Sequence, residues 1–83
     1  MVNKRKFLVI NGPNLNFLGK REPEIYGSLS LKEIQEYTEK RVHSFCKYVN
    51  IDWFQSNLEG EIVDRIQKAS LESLDALIIN PAA

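Results

Sequence analysis

Three short apolar, β-rich runs punctuate this chain, and the two stretches between them carry helical periodicity. That alternation constrains the fold more than any other feature. Residues 7–10, Phe-Leu-Val-Ile, form an unbroken apolar run ended by Asn11-Gly12-Pro13. Such a run, bounded by turn residues, suits a strand buried on both faces. In residues 49–54, Val49, Ile51 and Trp53 alternate with Asn50 and Asp52, which predicts a strand with one wet face near a sheet edge. Residues 76–79, Ala-Leu-Ile-Ile, are again continuous and apolar, ended by Asn80-Pro81, and read as a buried third strand.

The intervening segments open with helix-start signals. Ser30-Leu31-Lys32-Glu33 matches a capping box. Leu31, Ile34, Val42 and Phe45, with Tyr37, Thr38 and Cys46 beside them, predict an amphipathic helix ending near Lys47 or Tyr48. Ser56-Asn57-Leu58-Glu59 is a second match, with Glu59 and Glu61 where the helix dipole favours negative charge. Ile62, Val63, Ile66 and Ala69 form the buried stripe expected of that helix.

The order β-α-β-α-β predicts an α/β layered fold with a parallel sheet. Strands 1 and 3 read as interior and strand 2 as the edge, so the flavodoxin-like order 2-1-3 is expected rather than 1-2-3. In that order the chain reverses between strands 1 and 3, and ligands bind outside the carboxyl ends of strands at such a switch point. The loops beginning at Asn11 and Asn80 should therefore flank the site. Nothing in 83 residues covers the outer edge of strand 3. A bare apolar edge invites aggregation, so further strands in a parent protein, or a partner chain, are expected there. Residues 1–83 are read as a single partial flavodoxin-like domain, truncated at its carboxyl end.

Charge narrows the partners. Eleven Lys and Arg balance eleven Asp and Glu, giving a formal net charge of zero. This argues against broad attraction to nucleic acid or anionic membrane. Lys4-Arg5-Lys6 reads as a solvated strand entry. Cys46 is the single cysteine, which rules out an intrachain disulfide or a cysteine-rich metal site and fits a reducing, cytoplasmic setting. The amino terminus lacks a signal peptide's apolar stretch, and no run approaches the ~20 apolar residues of a membrane helix. A chain of 83 residues buries only roughly 60–65% of its unfolded surface, so its core is limited.

The connection after strand 1 carries the chemistry. Strand-to-helix loops usually run 2–6 residues, whereas this one runs about 19. Gly12, Gly19 and Gly27 are placed to hinge it, as in a lid over a site. It holds Asn14, Lys20, Arg21, Glu22 and Tyr26, but no Walker pattern and no Gly-x-Gly-x-x-Gly. A phospho-accepting receiver domain would want paired acids after strand 1 and Asp ending strand 3, and those places hold Asn11-Gly12 and Asn80. Arg21 and Tyr26 make a candidate base. A free tyrosine with a pKa of about 10 is only roughly 0.1% phenolate at pH 7. A guanidinium nearby lowers it by about 1–3 units, raising that fraction to roughly 1–50%. Such a tyrosinate could take an acidic proton next to a carbonyl. Each residue also has a plainer reading: Tyr26 as packing, Arg21 as a surface ion, Asn14 as turn chemistry and Asn80 as a strand stop. His43 reads as a partly exposed helix residue, Cys46 as a small core residue, and Trp53 and Phe54 as packing.

Taken together, five ordered motifs resemble a family. Asn11-Gly12-Pro13-Asn14-Leu15, then Leu18-Gly19-Lys20-Arg21-Glu22-Pro23, then Ile25-Tyr26-Gly27, are similar to the signature of type II 3-dehydroquinate dehydratases. Gln55-Ser56-Asn57 with Glu59-Gly60-Glu61, and Ile79-Asn80-Pro81-Ala82, resemble that family's next landmarks, at matching spacing. The resemblance runs from about Phe7 to Ala83. It implies a flavodoxin-like fold, usually assembled into a homo-oligomer, a dodecamer of trimers. It implies dehydration of 3-dehydroquinate to 3-dehydroshikimate by anti elimination, with no metal, no cofactor and no Schiff-base lysine. By position, Tyr26 is the base next to the substrate ketone and Arg21 the lid residue that keeps it ionised. Asn14 helps stabilise the enolate through a bound water, and Asn80 hydrogen-bonds and orients the substrate.

The chain departs from the family in length, which is roughly half. The resemblance implies that a substrate-binding histidine, a Glu-x-His pair whose histidine protonates the leaving hydroxyl, a carboxylate-binding turn and an arginine lie beyond Ala83. His43 matches none of them. The expectation is that these 83 residues hold half of an acid–base pair and do not turn over substrate unaided. Two rivals stay open. A non-catalytic flavodoxin-like binding or assembly module would keep ligand affinity after Tyr26→Phe, and a nucleotide-binding domain would respond in a nucleotide titration.

Overall fold

A computed structural model describes residues 4–20, 24 and 27–82 of the chain. Three strands, β1 (Arg5–Asn11), β2 (Val49–Gln55) and β3 (Ala76–Asn80), alternate with two helices, α1 (Leu31–Phe45) and α2 (Glu59–Ala69). A 3-10 turn, Leu15–Phe17, follows β1. The sheet is parallel throughout, in the order β2-β1-β3. This is the flavodoxin-like order that the strand patterns imply.

The register divides the faces. Leu8 pairs with Asp52 and Leu77, and Ile10 with Phe54 and Ile79. Side chains two apart on a strand share a face, and here Leu8 and Ile10, both fully buried, form the centre of the core. Phe54, Ile62, Ile66 and Leu74 pack against them together with buried Ala69. So α2 covers this face through Ile62, Ile66 and Ala69. The opposite face meets α1, where Trp53 Nε1–H donates to Glu39 Oε1 at 3.0 Å. β2 alternates as expected: Val49 is buried and Ile51 and Trp53 are half-buried, while Asn50 and Asp52 are exposed.

The start of α1 is written locally. Ser30 Oγ accepts from the Glu33 N–H at 3.1 Å and Glu33 Oε1 accepts from the Ser30 N–H at 3.1 Å, so the capping box is complete. The helix stops at Phe45, just short of the expected end, because Cys46 turns extended to lead into β2. The second capping-box match does not form. Ser56 Oγ accepts from the Leu58 N–H at 2.9 Å, and its hydroxyl hydrogen-bonds Glu61 Oε1. The N-cap of α2 is Leu58, which has no side-chain cap. The Ser56 N–H donates to the Asn11 carbonyl at 3.1 Å, so Ser56 still extends the ladder with β1 and the helix must begin later.

Four burial expectations are corrected. No α1 residue is buried, and Tyr37 and Phe45 are 67% and 77% exposed. The Arg41 guanidinium sits 5.0 Å from the centroid of the Phe45 ring, a cation beside a ring that otherwise faces solvent. Val63 on α2 is exposed, since only the Ile62–Ile66–Ala69 side of the helix reaches the sheet. β3 is not buried: Leu77, Ile78 and Ile79 are 39%, 52% and 41% exposed. Among the described residues β3 has β1 on one side and no strand on the other. Cys46 is half-buried rather than a core residue.

The basic entry to β1 is solvated, as expected. Arg5 and Asp75 are both exposed, with Arg5 Nη1 donating to Asp75 Oδ1 at 3.3 Å. Among the described residues no helix is long and apolar enough to cross a membrane.

Candidate functional site

A row of amides crosses the carboxyl ends of the strands. The register places Asn11 between Gln55 of β2 and Asn80 of β3. Residues paired across parallel strands project to one face, so the three share the face that meets α1. Asn11 is buried within this row, while Asn80 at its outer end is exposed.

Beyond the row, the β1 loop is tied to both neighbours. The Gly12 N–H donates to the Asn80 carbonyl at 2.8 Å. Gln55 Nε2 donates to the Gly12 carbonyl at 3.2 Å and to Asn57 Oδ1 at 3.1 Å. Asn57 Oδ1 also accepts the backbone N–H of Asn14 at 2.9 Å. Asn14 has φ 69° and ψ −3°, a left-handed conformation that Asn tolerates better than most residues. The 3-10 turn then begins, with the Phe17 N–H donating to the Asn14 carbonyl at 3.0 Å. A β-carbon at Gly12 would lie 2.1 Å from the Pro81 carbonyl oxygen, so the β1 and β3 loops touch there and only glycine fits.

The β3 loop is a local turn. Asn80 Oδ1 accepts the Ala82 N–H at 3.3 Å, and Ala82 is left-handed with φ 53°. The long loop folds back on itself at Gly19, which has φ 83°; a β-carbon there would lie 2.7 Å from the Ser28 carbonyl oxygen.

Two of the four expected site residues, Asn14 and Asn80, thus come to the same end of the sheet and are linked through Gly12. The other two, Arg21 and Tyr26, lie outside the described residues. His43 is remote from Asn14 and Asn80. Its Nε2 is 3.0 Å from the Val49 carbonyl oxygen, at the opening residue of β2. Six residues of strand separate Val49 from Gln55, roughly 20 Å at 3.3 Å per residue. The sequence reads Gly12 only as a loop hinge and Gln55 and Asn57 only as part of a family landmark, and assigns neither amide a hold on the β1 loop.

Chemically, this surface offers amides and backbone groups. Amides donate and accept hydrogen bonds but are neither acids nor bases near neutrality. The amides of the described site can therefore hold and polarise a polar ligand, but they do not themselves transfer protons. Among the described residues no three metal-ligating side chains gather. A groove of about 420 Å³ opens between α2 and β3 at this same end of the sheet, with Ile62, Val63, Ile66 and Ile79 on its apolar side and Gly12, Asn80 and Glu59 at its rim.

Comparison with known proteins agrees with this geometry. The family model described as dehydroquinase class II matches residues 5–83. A 3-dehydroquinate dehydratase of Francisella philomiragia is 54% identical over 76 residues, covering 92% of this chain and 49% of the relative. One from Polynucleobacter asymbioticus is 47% identical over 83 residues, covering 100% of this chain and 54% of the relative. The crystal structure of a type II dehydroquinase from Butyrivibrio crossotus superposes with a TM-score of 0.87 at 44% identity, over 96% of this chain and 54% of that one. The chain spans about half the length of the curated relatives it matches. A family model matched along nearly the whole chain, together with a shared fold, shows that this chain belongs to the class II dehydroquinase family.

Proposed function

We propose that these residues belong to a 3-dehydroquinate dehydratase, forming the amino-terminal half of one flavodoxin-like domain. The observation that carries the reading is the convergence of Asn14 and Asn80 on the switch point between β1 and β3, in a chain matched by the class II family over residues 5–83. Both are neutral amides beside exposed backbone, suited to a ketone and hydroxyl groups.

In this reading the Tyr26 phenolate takes a proton from the carbon next to the ketone. The C–H electrons form the enolate, whose oxygen gains negative charge. Asn14, through a bound water, stabilises that charge as it develops. Asn80 holds the substrate in register. The enolate then collapses, the C–O bond opposite the lost hydrogen breaks, and the hydroxyl leaves as water after accepting a proton. Among the described residues His43 does not supply that proton, since its ring is held at the far end of β2. Arg21 keeps Tyr26 ionised, and closure of the glycine-hinged loop excludes water. The enzyme works in the cytoplasm as a homo-oligomer, a dodecamer by family resemblance.

The test is direct. The full natural chain, given 3-dehydroquinate, should release one water per turnover and form a conjugated enone, read by ultraviolet absorbance. Deuterium placed anti to the leaving hydroxyl should be lost and syn deuterium kept. Absence of turnover, or loss of the syn label, would overturn the reading.

A further inference from the structure

We infer that Gln55 and Asn57, at the end of β2, are positioning residues that act on the reaction through Asn14, an inference that rests on the dehydratase reading above. The geometry is a clamp. A single oxygen, Asn57 Oδ1, accepts from the Asn14 backbone N–H at 2.9 Å and from Gln55 Nε2 at 3.1 Å. The same Gln55 nitrogen donates to the Gly12 carbonyl at 3.2 Å, so each of its two hydrogens has an acceptor. The two amides grip the β1 loop on both sides of Pro13, reaching 43 residues along the chain to do so.

The held segment has reason to be held. Asn14 sits at φ 69°, a conformation that costs an L-residue free energy and persists only when its surroundings over-determine it. Within the described residues its N–H makes no helical bond, because it precedes the 3-10 turn. The Asn57 oxygen supplies the missing acceptor and fixes the peptide plane from which the Asn14 side chain departs. Gln55 in turn fixes the Asn57 amide, since its donated hydrogen bond keeps the Asn57 oxygen, rather than the NH₂ group, turned towards Asn14. β2 is itself locked to β1 through the Asn11–Gln55 pair and the Ser56 N–H on the Asn11 carbonyl at 3.1 Å, so the clamp has a rigid base.

A residue that acts through another leaves a distinctive signature. In the full natural chain, Asn57→Ala should lower kcat on the order of 10–100-fold, the loss expected when a catalytic group is misplaced by about 1 Å. KM should change by no more than about threefold, since on this inference Asn57 acts only through Asn14. In an Asn14→Ala background, Asn57→Ala should have no further effect on kcat, because there is no side chain left to position. The Asn14 amide should exchange slowly with solvent in the wild type, faster in Asn57→Ala, and slowly again in Asn57→Asp, which keeps the accepting oxygen. An unchanged kcat in Asn57→Ala, or losses that multiply with Asn14→Ala, would overturn the inference while leaving the dehydratase reading intact. An Asn14 amide unprotected in the wild type would remove the clamp itself. A wild-type chain that does not dehydrate 3-dehydroquinate overturns the dehydratase reading, and the catalytic role drawn here falls with it.

Discussion

Gly12 and Pro81 occupy space that neither could share with a side chain: a β-carbon on Gly12 would lie 2.1 Å from the Pro81 carbonyl oxygen. The clash would be with backbone, which cannot swing aside as the end of a flexible side chain could. Gly12 also donates to the Asn80 carbonyl at 2.8 Å, so the contact sets the spacing between the loops that carry Asn14 and Asn80. Gly12→Ala must push those loops apart. Overpacking of this kind costs about 1–3 kcal/mol, and chemical denaturation of the full natural chain should show a loss in that range. Turnover should fall by more than the stability loss explains, because a displacement of about 1 Å costs on the order of 10²-fold in rate. Full activity in Gly12→Ala would mean that the loop spacing does not matter to the chemistry.

Ser30 and Glu33 make a prediction about acid stability. The hydrogen bond from the Ser30 backbone N–H is the largest influence on Glu33, followed by the Ser30 side chain, and together they hold its carboxyl below the ordinary value of 4.5. Asp75 is likewise held below 3.8, chiefly by the Lys6 N–H, which it accepts at 2.7 Å. In both cases the folded pKa lies below the unfolded one. Their stabilisation is present above the unfolded value and is lost as pH falls through the folded value. Thermal midpoints recorded from about pH 7 to about pH 3 should therefore drop at the acid end, and Glu33→Gln with Asp75→Asn should flatten that drop. Ser30→Ala should cost about 1 kcal/mol at neutral pH, the usual worth of a lost N-cap. A pH profile unchanged in the double variant would refute the assignment.

The proposed base predicts a shift in the pH dependence of the rate. Tyr26→Phe removes the phenolate and should lower kcat by about 10²–10⁴-fold with little change in KM. Arg21→Gln should act differently, leaving the base in place but taking away its cation. The tyrosine pKa then rises, so the acid limb of the kcat profile should move to higher pH by about 1–3 units, and activity should partly recover in alkali. A uniform loss at every pH would show that Arg21 does something other than keep Tyr26 ionised.

The two capping-box matches show how far local sequence reaches. Ser30 and Glu33 need only each other, and their reciprocal bonds form. Ser56 carries the same local signal, yet its backbone is committed to Asn11, 45 positions back along the chain, and its hydroxyl side to Leu58 and Glu61. A long-range ladder outranked a short-range cap. The strand order was legible because the polar alternation of β2 marks an edge. The burial of β3 was not, since an apolar run records what a strand can bury and not which neighbours are present. The same distinction runs through the site. Asn14 and Asn80 stand out beside Pro13 and Pro81, where turn chemistry is written in adjacent residues. The clamp of Gln55 and Asn57 on the β1 loop joins positions 43 residues apart and has no local pattern.

β3 supplies the last prediction. Its side chains Leu77, Ile78 and Ile79 are exposed, and one of its edges carries ladder groups with no strand beside them among the described residues. Such an edge pairs with whatever strand it meets. A polypeptide of these 83 residues, prepared alone, should therefore self-associate as its concentration rises, which sedimentation velocity would detect. Ile78 is the most exposed of the three at 52%, so Ile78→Lys should cost little folding stability while placing a charge on the edge, and it should return the polypeptide towards monomer. The isolated polypeptide should also show no dehydratase turnover, since none of its described residues is placed to protonate the leaving hydroxyl. A concentrated solution that stays monomeric would mean that the edge is protected by the chain itself, and measurable turnover would mean that the proton donor lies within these residues after all.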